Sequence, residues 1–72
     1  MGVVEAMGFH VKSSMKTYDA ISDRMQLFLE LLCPCGEVEN FDCYDDELEY
    51  RLSEHIKNDV KIGRLGKEWL NG

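Results

Sequence analysis

Apolar residues recur at helical spacing through residues 17–33, the longest unbroken patterned stretch of the chain. At about 100° per residue, one side of a helix would carry a set of apolar side chains: Tyr18, Ile21, Met25, Phe28, Leu29 and Leu32. Leu27 and Leu31 widen this side to an apolar arc of roughly 200°, whereas a surface helix needs a stripe of little more than about 100°. The pattern predicts a helix over about 15–33 with neighbours on two sides.

A second amphipathic pattern begins after Pro34 and Gly36, two residues that break a helix. Four apolar residues then repeat at every fourth position and form a narrow stripe: Leu48, Leu52, Ile56 and Val60. Acidic residues precede the stripe, where the helix dipole favours negative charge, and Gly63 is a natural stop. These signals predict a second helix over about 43–62. The predicted fold class is therefore all-α, a small helical hairpin with short flanking segments.

The length of 72 residues predicts one small helical domain covering residues 1–72. A domain of this size buries only about 60% of its unfolded surface and commonly needs a disulfide, a metal or a second subunit. The wide apolar arc of the first predicted helix favours the second subunit. We therefore predict a homodimer with Leu27 and Leu31 at its interface and Trp69 beside them.

The sequence contains no run of about 18 apolar residues, the minimum for a membrane-spanning helix. Its first residues lack the basic start and apolar run of a secretory signal. Ala6 occupies the position where an N-myristoylation motif requires Ser or Thr. These features predict a cytoplasmic protein whose cysteines stay reduced.

The formal net charge of −6 is concentrated in residues 37–54. This segment has eight acidic residues and one basic residue, Arg51, which gives it a net charge of −7. A nucleic-acid-binding surface needs clustered basic side chains that neutralise phosphates. Direct binding of DNA or RNA is therefore not expected.

Aromatic side chains alternate with carboxylates in residues 39–54. Exposed aromatics surrounded by charge are typical of binding hot spots, and a row of carboxylates can occupy a basic groove as a phosphate backbone does. The simpler alternative is a solvated helix start. The leading prediction is a small acidic adaptor or inhibitor that binds a basic surface of a partner protein, of a kind often encoded by phages or other mobile elements. The predicted contact residues are Phe41, Asp42, Tyr44, Asp45, Asp46, Glu47, Glu49 and Tyr50.

The cysteines provide the alternative function, a metal- or thiol-dependent regulator that uses Cys33, Cys35 and Cys43. Zinc ligands usually come in pairs two to four residues apart, whereas Cys33 and Cys35 are separated by one residue and no second pair follows. Thiol exchange needs a lowered thiol pKa, which a helix C-terminus and neighbouring acids oppose. We therefore expect no metal and no cofactor.

Signatures of catalysis are weak in this sequence. His55 and Asp59 are one helical turn apart and suggest general base chemistry, with Cys43 or Ser53 as a possible nucleophile. Nothing in the spacing brings these groups together, and there is no glycine-rich phosphate loop. We expect His55 and Asp59 to form a surface or interface pair, and we expect that the chain is not an enzyme.

Overall fold

Three consecutive strands form an antiparallel sheet in the computed structural model, which describes residues 2–70. The strands follow their chain order in space: β1 (His10–Asp19), β2 (Arg24–Leu32) and β3 (Val38–Tyr44). Helix α1 (Gly2–Ala6) precedes the sheet. Helix α2 (Leu48–Lys61) follows it after a 3-10 turn, Asp45–Glu47, and a second 3-10 turn spans Lys67–Leu70.

The prediction of an all-α helical hairpin is wrong, because the fold is mixed α/β and residues 15–33 belong to a β-hairpin. The apolar spacing gives the reason. Alternate residues of β2 and the position after it are apolar, which is the two-residue period of a strand with one buried face: Met25, Leu27, Leu29, Leu31 and Cys33. Phe28 and Leu32 lie between them, and these two extra apolar residues created the apparent helical pattern.

The turn between β1 and β2 interrupts the predicted first helix. Asp19 Oδ1 accepts hydrogen bonds from the backbone N–H groups of Ile21 (3.0 Å) and Ser22 (3.4 Å). Asp23 has a φ of 55°, in the left-handed region that Asp tolerates better than most residues. An Asp that accepts backbone hydrogen bonds two residues on is a recurring turn device. The chain therefore reverses here, and Asp19 pairs with Arg24.

The core lies between one face of the sheet and α2. Its buried members come from α1, the sheet, α2 and two positions directly before β1 and after β2: Val4, Phe9, Leu27, Leu29, Leu31, Cys33, Phe41, Cys43, Leu48, Leu52 and Ile56. The second predicted helix is therefore present as Leu48–Lys61, and its predicted stripe faces this core. Residues 43 and 44, predicted to begin that helix, end β3 instead.

The residues predicted at a dimer interface are accommodated within one chain. Leu27 and Leu31 are 1% and 0% exposed in the core. Trp69 is 37% exposed, and its ring lies so close to Gly8 that a Cβ there would be 2.8 Å from it. The apolar arc therefore requires no second subunit, and the homodimer stays a prediction.

The other face of the sheet is covered by no helix within the described range. Met15 and Phe28 lie opposite each other on β1 and β2, and their exposed fractions are 59% and 39%. Mostly polar residues surround them on the same face: Ser13, Thr17, Gln26, Glu30, Asn40 and Asp42. We call this surface the open face.

Candidate functional site

The predicted contact residues that lie outside the core divide into two places. Asp42 and Tyr44 lie on the open face of β3, and Asp45–Glu47 forms the 3-10 turn directly after them. Glu49 and Tyr50 instead lie exposed on α2, where Tyr50 is 66% exposed. The structure therefore brings the first five residues together at one end of the sheet.

Phe41 points into the core, where it is 6% exposed. Its ring packs edge-on against Phe9 and against His55, with centroid separations of 5.9 and 5.3 Å. Because strand residues alternate in direction, Phe41 lies on the face opposite to its neighbour Asp42. Phe41 therefore packs in the core behind β3 and does not form part of the surface of the site.

The β1–β2 turn adds two carboxylates that the sequence analysis did not select. Tyr44 Oη donates a hydrogen bond of 2.7 Å to Asp19 Oδ2, which ties this turn to the end of β3. The Tyr18 hydroxyl donates to Asp23, and this bond raises the pKa of Tyr18. Six residues thus form what we call the acidic end: Asp19, Asp23, Asp42, Asp45, Asp46 and Glu47.

Arg24 is held among these carboxylates. Its Nη2 and Nε donate to the two oxygens of Asp46 at 2.7 and 3.1 Å, and Nη2 is 3.7 Å from Glu47 Oε1. The guanidinium also lies 3.7 Å from the centroid of the Tyr44 ring, a favourable cation–π arrangement. Its hydrogen bonds lower the pKa of Asp46, and Asp46 in turn raises the pKa of Arg24.

The acidic end retains an excess of negative charge. Arg24 supplies one positive charge, and Arg51 reaches from α2 to the backbone carbonyl of Asp42 at 3.4 Å. The acidic end therefore has six carboxylates, with one guanidinium bound directly to two of them and a second at the backbone of Asp42. Like charges on neighbouring positions repel by a few tenths of a kcal/mol per pair, roughly. A positively charged surface placed against this end would relieve that repulsion.

Neutral donors orient two of the carboxylates without cancelling their charge. Asp19 accepts from the hydroxyl of Tyr44, and Asp42 accepts from the side-chain amide of Gln26. A hydrogen bond to an ionised carboxylate favours its charged form. Accordingly, the Tyr44 hydrogen bond, followed by those from Ser22, holds the pKa of Asp19 below its usual range. The hydrogen bonds from Tyr44 and Gln26 thus fix the directions of the Asp19 and Asp42 carboxylates.

Tyr44→Phe should raise the pKa of Asp19 towards its ordinary value, because it removes the hydrogen bond that contributes most to the lowering. Folded Asp19 binds a proton less readily than unfolded Asp, whose pKa is about 3.9. Its contribution to stability is therefore present above that pH and is lost as pH falls through the lowered pKa. A carbon-13 NMR titration of the Asp19 carboxyl group measures this change.

Tyr50→Phe is the matched control for that titration. It also removes a tyrosine hydroxyl, but Tyr50 is exposed on α2, away from Asp19. It should leave the Asp19 titration curve where the parent has it. An Asp19 curve that does not move in Tyr44→Phe would show that the Tyr44–Asp19 bond does not hold this carboxylate.

The three cysteines do not converge. Cys43 pairs with Leu27 on β2, whereas Cys33 follows the end of that strand six residues later, a separation of roughly 20 Å at strand spacing. Within residues 2–70, no three His, Cys, Asp or Glu side chains are grouped to hold a metal ion. Burial raises the pKa of Cys33 to about 12 and also raises that of Cys43, so both are weak nucleophiles at neutral pH. The alternative function gains no support here.

Asp59 is buried in the core at 1% exposure, and His55 lies half-buried beside it. The expectation of a surface pair is therefore wrong for Asp59. Asp59 Oδ2 is 3.3 Å from His55 Nε2, and neither of these two buried atoms has a well-directed hydrogen bond. The backbone carbonyl of Asp59 accepts from Arg64 (2.8 Å) and Leu65 (3.3 Å). The pair therefore lies where α2, the core and the following segment meet.

Asp19, Asp23 and Arg24 are the residues of the site that the sequence analysis missed. The available signal is the stretch from Asp19 to Asp23, in which polar or small residues flank a single isoleucine, Ile21. Such a stretch is typical of a hairpin turn. A hairpin turn at this stretch would have placed Asp19 beside Arg24. It would not have placed Asp19 beside Tyr44, because that contact depends on the pairing of β2 with β3.

Comparison with protein-family models, with curated proteins and with solved structures finds no match for this chain. Within residues 2–70, neither α1 nor α2 is long and apolar enough to cross a membrane. The function is therefore inferred from the geometry of the acidic end and the open face.

Proposed function

We propose that the chain is a small protein-binding module, an adaptor or inhibitor, that places its acidic end against a basic surface of a partner protein. The observation that carries this proposal is the convergence of six carboxylates from three segments: the β1–β2 turn, the end of β3 and the 3-10 turn. The dipole of α2 favours acids only in its own first turn. It does not account for the carboxylates that the β1–β2 turn brings to the same place.

The orientation of these carboxylates supports binding by a preformed surface. Tyr44 and Gln26 fix the directions of Asp19 and Asp42, and Arg24 fixes that of Asp46. A surface that is already ordered loses less conformational entropy when it binds. Negative charge in fixed positions also steers a basic partner during encounter, and salt screens that steering.

The open face supplies an apolar centre next to these charges. Asp42 lies opposite Phe28 in the pairing of β2 with β3, and Phe28 lies opposite Met15 in the pairing of β1 with β2. Protein interfaces commonly have an apolar centre with a polar rim. The Phe28 side chain is 39% exposed and offers an aromatic anchor beside Asp42 of the acidic end.

We place this binding activity in the cytoplasm and assign it no catalytic step. Cys33, Cys35 and Cys43 are free thiols, a state that a reducing compartment maintains. Burial raises the pKa of Cys33 and Cys43 and makes them inert, so they serve as small apolar side chains of the core.

Asp42→Lys combined with Asp45→Lys tests the proposal, since both side chains are exposed and the pair reverses charge at the centre of the acidic end. We expect the captured partner to bind at least about tenfold more weakly, because oppositely charged surfaces become like-charged. The immobilised chain is incubated with a lysate of the cells that encode it, and mass spectrometry quantifies the captured proteins.

The matched control is Glu37→Lys combined with Glu54→Lys, which makes the same change in net charge at exposed positions away from the acidic end. It should retain the captured partner. Equal loss in both double variants would show that only net charge matters. Equal retention in both would overturn the proposed role of the acidic end.

A further inference from the structure

β1 is an edge strand with a long free side. It pairs with β2 along one side over ten residues, and all of its residues are exposed or half-buried. The backbone N–H and C=O groups of a free edge are a template for another strand. The occupant of that edge can be inferred from the order of side chains along β1.

β1 is complementary to itself when it pairs antiparallel with a second copy about a two-fold axis at Met15. Met15 then faces Met15 of the partner subunit, and Lys16 faces Ser14 of the partner subunit. Ser13 faces Thr17 of the partner subunit. The irregularity between Val11 and Ser13 omits Lys12 from pairing with β2, and the same omission on the free side aligns Val11 with Tyr18 of the partner subunit. No lysines meet in this register.

The neighbouring registers are less favourable. With the axis at Ser14, Met15 would face Ser13 of the partner subunit, so the two methionines would lie apart. With the axis at Lys16, Lys16 would face Lys16 of the partner subunit. Like charges that are directly opposite on neighbouring strands are destabilising. Among these three registers, only the axis at Met15 keeps the lysines apart and places the two methionines opposite each other.

The same register joins two apolar patches on the open face. Within one chain, Met15 lies beside Phe28, and both are exposed at 59% and 39%. Pairing about Met15 places the two patches next to each other and forms a continuous stripe across the four central strands. Burial of apolar surface stabilises the pair, at about 25 cal/mol per Å² of surface removed from water.

We propose that two copies of this chain associate through β1 and form a six-stranded antiparallel sheet with Met15 on the two-fold axis. This inference does not depend on the proposed function. Asp19 lies four residues from the axis, and the antiparallel arrangement places the two acidic ends on opposite sides of it. The dimer would therefore present two separate acidic ends.

Disulfide cross-linking of Met15→Cys, in a chain that also carries Cys35→Ser, tests the register. Residues that face each other across an antiparallel pair have Cα atoms about 4.5–5.5 Å apart, and this is within the range that a disulfide spans. Cys35→Ser removes the half-buried thiol, while Cys33 and Cys43 are buried. Mild oxidation should give a covalent dimer on a non-reducing gel.

Thr17→Cys in the same Cys35→Ser chain is the control, because Thr17 is equally exposed but its copies lie four residues apart along the strand in this register. It should form at least about tenfold less covalent dimer. Light scattering of the parent at about 100 μM should give about twice the 8.3 kDa chain mass. A monomer mass, or a dimer mass with no faster cross-linking of Met15→Cys than of Thr17→Cys, would overturn the proposal.

Discussion

Leu31→Ala is expected to lower the free energy of unfolding by about 2–5 kcal/mol, the usual cost of a cavity at a fully buried leucine. Leu31 is 0% exposed at the centre of the core. A single-core domain of this size has only about 3–5 kcal/mol of stability in total. The variant should therefore be largely unfolded at room temperature, and urea denaturation followed by circular dichroism measures the loss.

Phe28→Ala is the matched comparison, because Phe28 is three positions away on β2 but lies on the open face. Its cost should be below about 1 kcal/mol, since little cavity forms at a side chain already in contact with water. On the predicted helix both residues would have been buried. Similar large losses in both variants would therefore contradict the strand and its two faces.

His55→Leu is expected to lower the free energy of unfolding by about 2–3 kcal/mol, because it leaves the buried carboxylate of Asp59 without its histidine partner. Leaving a buried polar group without its partner costs about 1–3 kcal/mol, and the upper part of that range applies because the Asp59 side chain is only 2% exposed. Urea denaturation followed by circular dichroism measures the loss.

Adding Asp59→Leu to His55→Leu should recover most of that loss, since replacing both members of a buried pair by apolar residues is often neutral or stabilising. The coupling between the two substitutions should therefore exceed about 1 kcal/mol. A His55→Leu chain as stable as the parent would show that the 3.3 Å contact does not contribute to stability.

The second helix could be predicted from the sequence because its signals agree. Leu48, Leu52 and Ile56 have one consistent spacing, and Gly63 stops the helix with a φ of 85°. β2 could not be distinguished from a helix in the same way. Its inward-facing leucines fit a two-residue period, but Phe28 and Leu32 on the other face also fit a helical wheel. These two apolar residues on the open face therefore made the strand resemble a helix in the sequence pattern.

The acidic end could be predicted only in part. Its contiguous residues, Asp42 and Asp45–Glu47, are evident from composition. Asp19 joins them because the hairpin aligns it with Arg24, and β3 then places Tyr44 within 2.7 Å of its carboxylate. That contact spans 25 residues of sequence and depends on two strand registers. Without the registers, no local pattern indicates it.

The central claim is that the acidic end is the surface that contacts the partner, and NMR chemical-shift mapping tests it most directly. The chain is labelled with nitrogen-15 and titrated with the partner protein captured from the lysate. The proposal predicts the largest shift changes at the backbone amides of Asp19, Asp23, Asp42 and Asp45–Glu47. Changes confined to α2 around Tyr50, or to the opposite end of the sheet around Glu37, would contradict it.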